Sequence, residues 1–235
     1  MSQAAAIFDV DDTILKGASG IYLGKLMLFD RGESVSLQEI GNYIKAYMSF
    51  LSAKSIDYED LVETALMRFE GKTRAQIEDV ARELFDRYMS KNIYRGAYKA
   101  VKWHKQQGHK IVLITASIKI IVEPIGDFLE VDDIFAMRPI FEDFELTARA
   151  HKPYSYEEGK LELAKIYCEE NGMDLKDCYF YSDSISDLPL MQAVGHPMPT
   201  NPDRKLLALA LWRNWRIRWF NTVLPPGFKP DFSDC

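Results

Sequence analysis

Ala5-Ala6-Ile7-Phe8-Asp9-Val10-Asp11-Asp12-Thr13-Ile14-Leu15 is a short apolar run that breaks abruptly into three acids and a threonine. Its first four residues are continuously apolar rather than alternating, the pattern of a strand buried on both faces. Asp9 and Asp11 then fall at the strand's C-terminal end. In an open parallel sheet that end faces the ligand crevice. Side chains two apart on an extended chain point the same way, so Asp9 and Asp11 are expected to converge. Two carboxylates at one spot repel each other, and a hard divalent cation such as Mg²⁺ relieves that repulsion. A helix cap built from Asp and Thr is the competing structural explanation of the same residues.

The whole chain bounds what this stretch can belong to. Its 235 residues suffice for one sizeable core with a smaller insert. With 47% hydrophobic and 27% charged residues the composition is that of a soluble globular protein. A net charge of -6 argues against general attraction to nucleic acid or an anionic membrane. No apolar run is long enough to span a bilayer, so no stable membrane insertion is expected. The first residues lack the basic character of a signal peptide. Cys168, Cys178 and Cys235 are widely spaced and odd in number, which fits a reducing cytoplasm rather than a disulfide framework. Cys168 and Cys178 lack the further ligands that a zinc site needs.

From Gly20 to about Tyr88 the spacing predicts helices. Ile21, Leu23, Leu26, Met27 and Phe29 mark one, and Ile40, Tyr43, Ile44, Tyr47 and Met48 form a second apolar stripe. Leu61, Ala65, Leu66 and Phe69 mark a third, ended by Gly71. Thr73 and Gln76 have the spacing of a capping box that opens a fourth, running to Tyr88. Ala97 to Gly108 is helical. Lys110 to Ile114 is a buried strand with Thr115 at its end, where an N-cap is the plain alternative for the hydroxyl. Ile118 to Leu129 reads as a helix interrupted by Pro124, and Asp132 to Ala136 as the approach to a strand. Phe141 to Thr147 alternates like a hairpin arm. A helix opens at Glu157 and carries Lys160, ordinarily a solvated position. Tyr179-Phe180-Tyr181-Ser182 is a strand that ends in Asp183, with Asp187 four residues on.

Taken in order, these features resemble the haloacid dehalogenase-like superfamily, which consists mostly of phosphatases. Asp9-Val10-Asp11-Asp12-Thr13 matches its D-x-D-x-T signature. The hydrophobic strand ending in Thr115 matches the second motif, and Lys160 the third. Asp183 with Asp187 matches the fourth, with Ser182 where glycine is usual. The resemblance implies Asp9 as nucleophile, Asp11 as general acid/base, and Thr115 with Ala116 and Lys160 at the phosphoryl group. It further implies Asp9, Asp11 and Asp183 around Mg²⁺, with Asp187 in support. The chemistry calls for such a set, because attack by a carboxylate splits one hard displacement into two easier ones. A second carboxyl must then protonate the leaving alkoxide.

The expected fold is α/β, a doubly wound parallel sheet with an inserted helical cap. Residues 1–16 and 93–235 would form the core and residues 17–92 the cap, as in the phosphoserine phosphatase-like branch. The expected function is Mg²⁺-dependent hydrolysis of a small-molecule phosphate ester through an aspartyl-phosphate. Phosphoserine itself fits poorly, because Lys16-Gly17-Ala18-Ser19-Gly20 carries no acid to read its amine and Ser186 stands where that branch has Asn. Histidinol phosphate and lipid-linked esters such as phosphatidylglycerophosphate are the alternatives, as is a noncatalytic binding protein on the same fold. Lys54, Arg68 and Arg74 are candidates to meet an anionic group of the substrate; Glu33, Glu39 and Glu63 are candidates to meet an amine. Three tryptophans and three arginines between Trp212 and Trp219 suggest either a last strand on the core edge or an anion-seeking surface. Pro225-Pro226-Gly227 suggests a loose terminus.

Overall fold

β1 (Ala5–Phe8) is the middle strand of a five-stranded sheet, and all four of its residues are buried. The computed structural model describes residues 4–32 and 58–235. β2 (Lys110–Ile118) and β3 (Asp133–Met137) flank β1 on one side. On the other side lie β6 (Tyr179–Ser182) and β7 (His196–Pro199). Every pairing in this sheet is parallel. The chain leaves β1 toward one flank and later fills the other, so strand order reverses at β1. That reversal opens a crevice at the C-terminal end of β1, which is where Asp9 emerges.

The alternation along each strand divides the core. Ala6, Phe8, Ile111, Leu113 and Tyr181 pack into one buried cluster with α4 (Arg95–Gln106) and α5 (Lys119–Leu129). Ala5, Ile7, Val112, Ile114 and Phe180 pack into another. It is covered by α6 (Glu158–Glu170), α7 (Leu188–Ala193) and α8 (Arg204–Trp212). Both faces are dry, hence the unbroken apolar run in β1. α5 runs through Pro124 as one helix rather than breaking there.

Among the described residues between 17 and 92 there is no strand. α1 (Ser19–Lys25) runs on into a wider π turn over Leu26–Asp30. α2 (Tyr58–Met67) follows, then α3 (Arg74–Arg87), which opens with the reciprocal bonds between Thr73 and Gln76. The stripe from Ile40 to Met48 lies outside the described residues. β4 (Pro139–Glu142) and β5 (Glu145–Ala150) form a hairpin, but the stretch from Phe141 to Thr147 is not one arm of it, because the turn falls in its middle. Its turn residues Asp143 and Phe144 both adopt left-handed backbone conformations, the geometry that matches strand twist in a tight hairpin. The hairpin is laced to the helical segment, because Gly71 N–H donates to the Leu146 carbonyl and Leu146 N–H to that of Lys72, each at 2.9 Å.

Two expectations fail at the C-terminal end. The Trp/Arg stretch is not a strand. The N–H groups of His196 and Thr200 point to β6, and Pro197 and Pro199 between them have no N–H to offer an outer neighbour. The edge presents carbonyls alone, so the tail meets it at a single bridge between Thr200 and Arg218. Nor is the terminus loose. Leu224 and Phe232 are buried, Tyr98 packs against Phe228 and Phe232, and Lys102 pairs with Asp234 at 2.7 Å.

Candidate active site

Lys160 is the third residue of α6, and it is not solvated: only 4% of it is exposed. Its Nζ donates to Asp9 Oδ1 at 2.8 Å and to Asp187 Oδ2 at 2.7 Å. Gly159 makes this approach possible. A Cβ there would stand 1.8 Å from the Tyr154 carbonyl oxygen, so no other residue lets the helix start so close. Asp187 closes the 3₁₀ turn Ile185–Asp187 after β6, and Ser182 Oγ donates to its Oδ2 at 2.6 Å. Its other carboxylate oxygen is buried and has no partner among the described residues.

Asp11 turns to a different set of partners. Its Oδ1 accepts from Ser19 N–H at 2.8 Å, while its Oδ2 accepts from the hydroxyls of Ser19 (3.2 Å) and Ser117 (3.1 Å). Among the described residues the Asp9 and Asp11 carboxylates thus have no hydrogen-bond partner in common, although Asp11 lies close enough to raise the pKa of Asp9. Thr115 is buried where the pairing of β2 with β3 breaks, between Ile114 and Ile118. The strand itself continues to Ile118, past the expected end. Thr115 Oγ1 accepts from Ser117 N–H at 3.2 Å, and Ser155 Oγ donates to the Thr115 carbonyl. Ala116 follows, half-buried. Asp183 leaves β6 with its carbonyl accepting from Asp203 N–H at 2.7 Å.

The electrostatics follow from four acids gathered around one lysine. Burial pushes the Asp9 carboxyl up to about 7, opposed by Lys160 and aided by Asp187 and Asp11. Burial also raises Asp183 well above the usual carboxylate range, and the charges of Asp9, Asp12 and Asp187 push the same way. Asp11 is raised by burial against the hydrogen bonds from Ser19 and Ser117. Burial alone would lower Lys160, but Asp187 and Asp9 outweigh it and hold the ammonium above the ordinary lysine range.

The donor set fits a small hydrated cation. Among the described residues no three acidic, His or Cys side chains form a cage. Mg²⁺ does not demand one, since it keeps several waters and takes one or two carboxylates. The surplus of negative charge and the orphaned Asp187 oxygen are what such an ion would relieve.

Asp9, Lys160 and Asp187 are thus joined directly, with Asp11 and Asp183 within electrostatic reach of Asp9 and Thr115 one strand away. Ser19 and Ser117 escaped the reading of the sequence. For Ser117 a signal existed, because it lies two residues past Thr115 and shares its side of the extended chain. Nothing marked Ser19, nor Asn201, whose Nδ2 donates to the Asp12 carbonyl at 3.2 Å.

Residues 6–192 match the family model of haloacid dehalogenase-like hydrolases. The chain belongs to that family. A probable phosphatase of Mycobacterium tuberculosis is 31% identical, over 94% of this chain and 76% of the relative. A phosphoserine phosphatase of the same organism is 27% identical, over 92% and 71%. A solved Bordetella pertussis protein of unknown function superposes with a TM-score of 0.82 at 25% identity, over 93% of this chain and 99% of that one. This hydrolase is a phosphoric monoester hydrolase, and it is similar to proteins of the phosphoserine phosphatase-like branch.

Proposed function

We propose that this phosphatase hydrolyses a small phosphate monoester through an aspartyl-phosphate on Asp9. The observation that carries the reading is the buried Lys160 bridge between Asp9 and Asp187, at the C-terminal end of the central strand. A carboxylate oxygen of Asp9 attacks phosphorus as the ester P–O bond breaks, and Asp11 gives its proton to the departing alkoxide. Water then attacks the same phosphorus and yields its proton to Asp11. The bond to Asp9 breaks and inorganic phosphate leaves. Lys160 and the Thr115 hydroxyl hold phosphoryl oxygens, and most of the acceleration comes from such positioning and charge neutralisation. Asp9 and Asp183 would hold Mg²⁺ by their side chains, and Asp11, whose carboxylate is engaged, by its main chain. Bound there, the ion neutralises charge on the phosphoryl group. Cysteine usage supports a cytoplasmic setting.

Residues 17–92 act in this reading as the cap that shapes the substrate pocket. Phosphoserine is a poor substrate. Gly17, Ala18 and Gly20 offer its ammonium nothing, and Ser19 is committed to Asp11. Arg74 is not free to meet a carboxylate, as it pairs with Glu78 at 2.7 Å and Glu123 at 3.2 Å. Glu63 is exposed, and Lys54, Glu33 and Glu39 lie outside the described residues. The test is a phosphate-release screen of phosphomonoesters with Mg²⁺ and with chelator, including phosphoserine. Release from amine-free esters that chelator abolishes and Mg²⁺ restores is expected. Unchanged turnover in chelator overturns the metal assignment, and a clear kcat/KM preference for phosphoserine overturns the substrate assignment.

A further inference from the structure

Residues 204–229 contain Arg204, Lys205, Arg213, Arg216, Arg218 and Lys229 and no acid, in a chain of net charge -6. The catalytic machinery uses none of them. Among the described residues no carboxylate lies within ion-pair reach of any of the six, or of Lys99 on α4. The acids that border the stretch are engaged elsewhere. Asp203 caps α8 and also accepts from Ile185 N–H, Asp231 accepts from Ser233, and Asp234 pairs with Lys102.

Large apolar side chains stand out of the same stretch. Leu211 is 63% exposed, Trp212 73% and Trp219 56%. Trp219 lines a groove of about 980 Å³ together with Trp103, Lys99, Arg216, Arg218 and Tyr181. Both arginines lie near enough to the Tyr181 hydroxyl to oppose the upward push that burial gives it. Unpaired cations and exposed indoles within one stretch, part of it lining this groove, present a surface beyond what solubility requires.

We propose that this face docks the protein on an anionic phospholipid surface. Arg213, Arg216, Arg218 and Lys99 meet the lipid phosphates, while Leu211, Trp212 and Trp219 enter the boundary between headgroups and acyl chains. The side chains favour lipid over nucleic acid as the anion. Leu211, 63% exposed, has no ring to stack on a base and gains only from an apolar boundary. This inference does not rest on the catalytic reading, and its test needs no turnover.

The test is co-sedimentation of the whole protein with two vesicle types, pure phosphatidylcholine and phosphatidylcholine with about one-third phosphatidylglycerol. Binding to the anionic vesicles alone is expected, with release as salt rises from about 0.1 M to about 0.5 M. The tryptophan emission should shift to the blue on binding. Replacing Arg213, Arg216 and Arg218 together by Gln should weaken binding by about a hundredfold, given a several-fold contribution from each basic residue. Leu211→Ser, at an exposed position, should weaken it as well. Both variants should keep wild-type melting temperatures. No binding to anionic vesicles overturns the proposal, as does equal binding by the triple variant. Binding to a single-stranded oligonucleotide without binding to the vesicles overturns it too.

Discussion

Replacing Lys160 by Met keeps most of the aliphatic stem and removes the one charge that Asp9 and Asp187 share. Taking one partner from a buried ion pair costs about 3–5 kcal/mol. For a chain of this size each kcal/mol moves the melting point by about 2–4 °C, so a fall of roughly 6–20 °C is expected. The pH dependence is the sharper signature. The Asp9 carboxyl stands at about 7 in the folded protein against 3.8 for a solvated aspartate side chain. The folded chain therefore holds a proton that the unfolded chain has released, and stability falls as pH rises through this window. Without Lys160 the Asp9 proton is held to still higher pH, so the penalty goes on growing above neutrality. Lys160→Met should be most destabilised near about pH 8 and should approach the wild type near about pH 5. Thermal melts of metal-free protein in chelator across that range measure it. A variant that melts with the wild type at every pH would refute the pairing on which the site is built.

Ser117→Ala removes one of the three hydrogen bonds on the Asp11 carboxylate. The fold should survive, and kcat should drop about tenfold, as expected for a displaced general acid. Steady-state kinetics should show the loss mainly on alkyl phosphates, whose leaving groups need the proton, and an equal loss on aryl phosphates would count against the role. His104 is held neutral down to about 3 by burial, with His109 and His196 pushing the same way. Its stabilising contribution is complete above about pH 6.5 and is lost as pH falls, by about 2 kcal/mol at about pH 5. His104→Gln should therefore lose less stability on acidification than the wild type does, and parallel pH profiles in denaturant melts would contradict this.

Much of the fold was legible because the sheet is covered on both faces. That cover forces unbroken apolar runs in β1 and β2, and each run stops where the chain reaches the crevice. The hairpin was legible in part because β5 buries Leu146 and Ala150 while Glu145 and Arg149 stand exposed, and so alternates. The tail was not legible. Its aromatic pattern suits a strand, but Pro197 and Pro199 leave its neighbour without outward donors, a property of β7 rather than of the tail. Within the site, Asp9 could be picked out because it ends a continuously apolar strand, whereas Lys160, Asp183 and Asp187 stood out only through the resemblance of their order and context to the family's motifs. Ser19 and Ser117 could not, because a serine reveals its role only through its partners. Asp11 and these two serines lie on three segments that only folding brings together.

The central claim is that Asp9 receives the phosphoryl group. Acid quenching during steady-state turnover, followed by mass analysis of the peptide that contains residues 5–15, tests it most directly. One added phosphoryl group on Asp9 is predicted, labile to base and absent when substrate is omitted. Turnover with Asp9 unmodified and the phosphoryl group on another residue would contradict it.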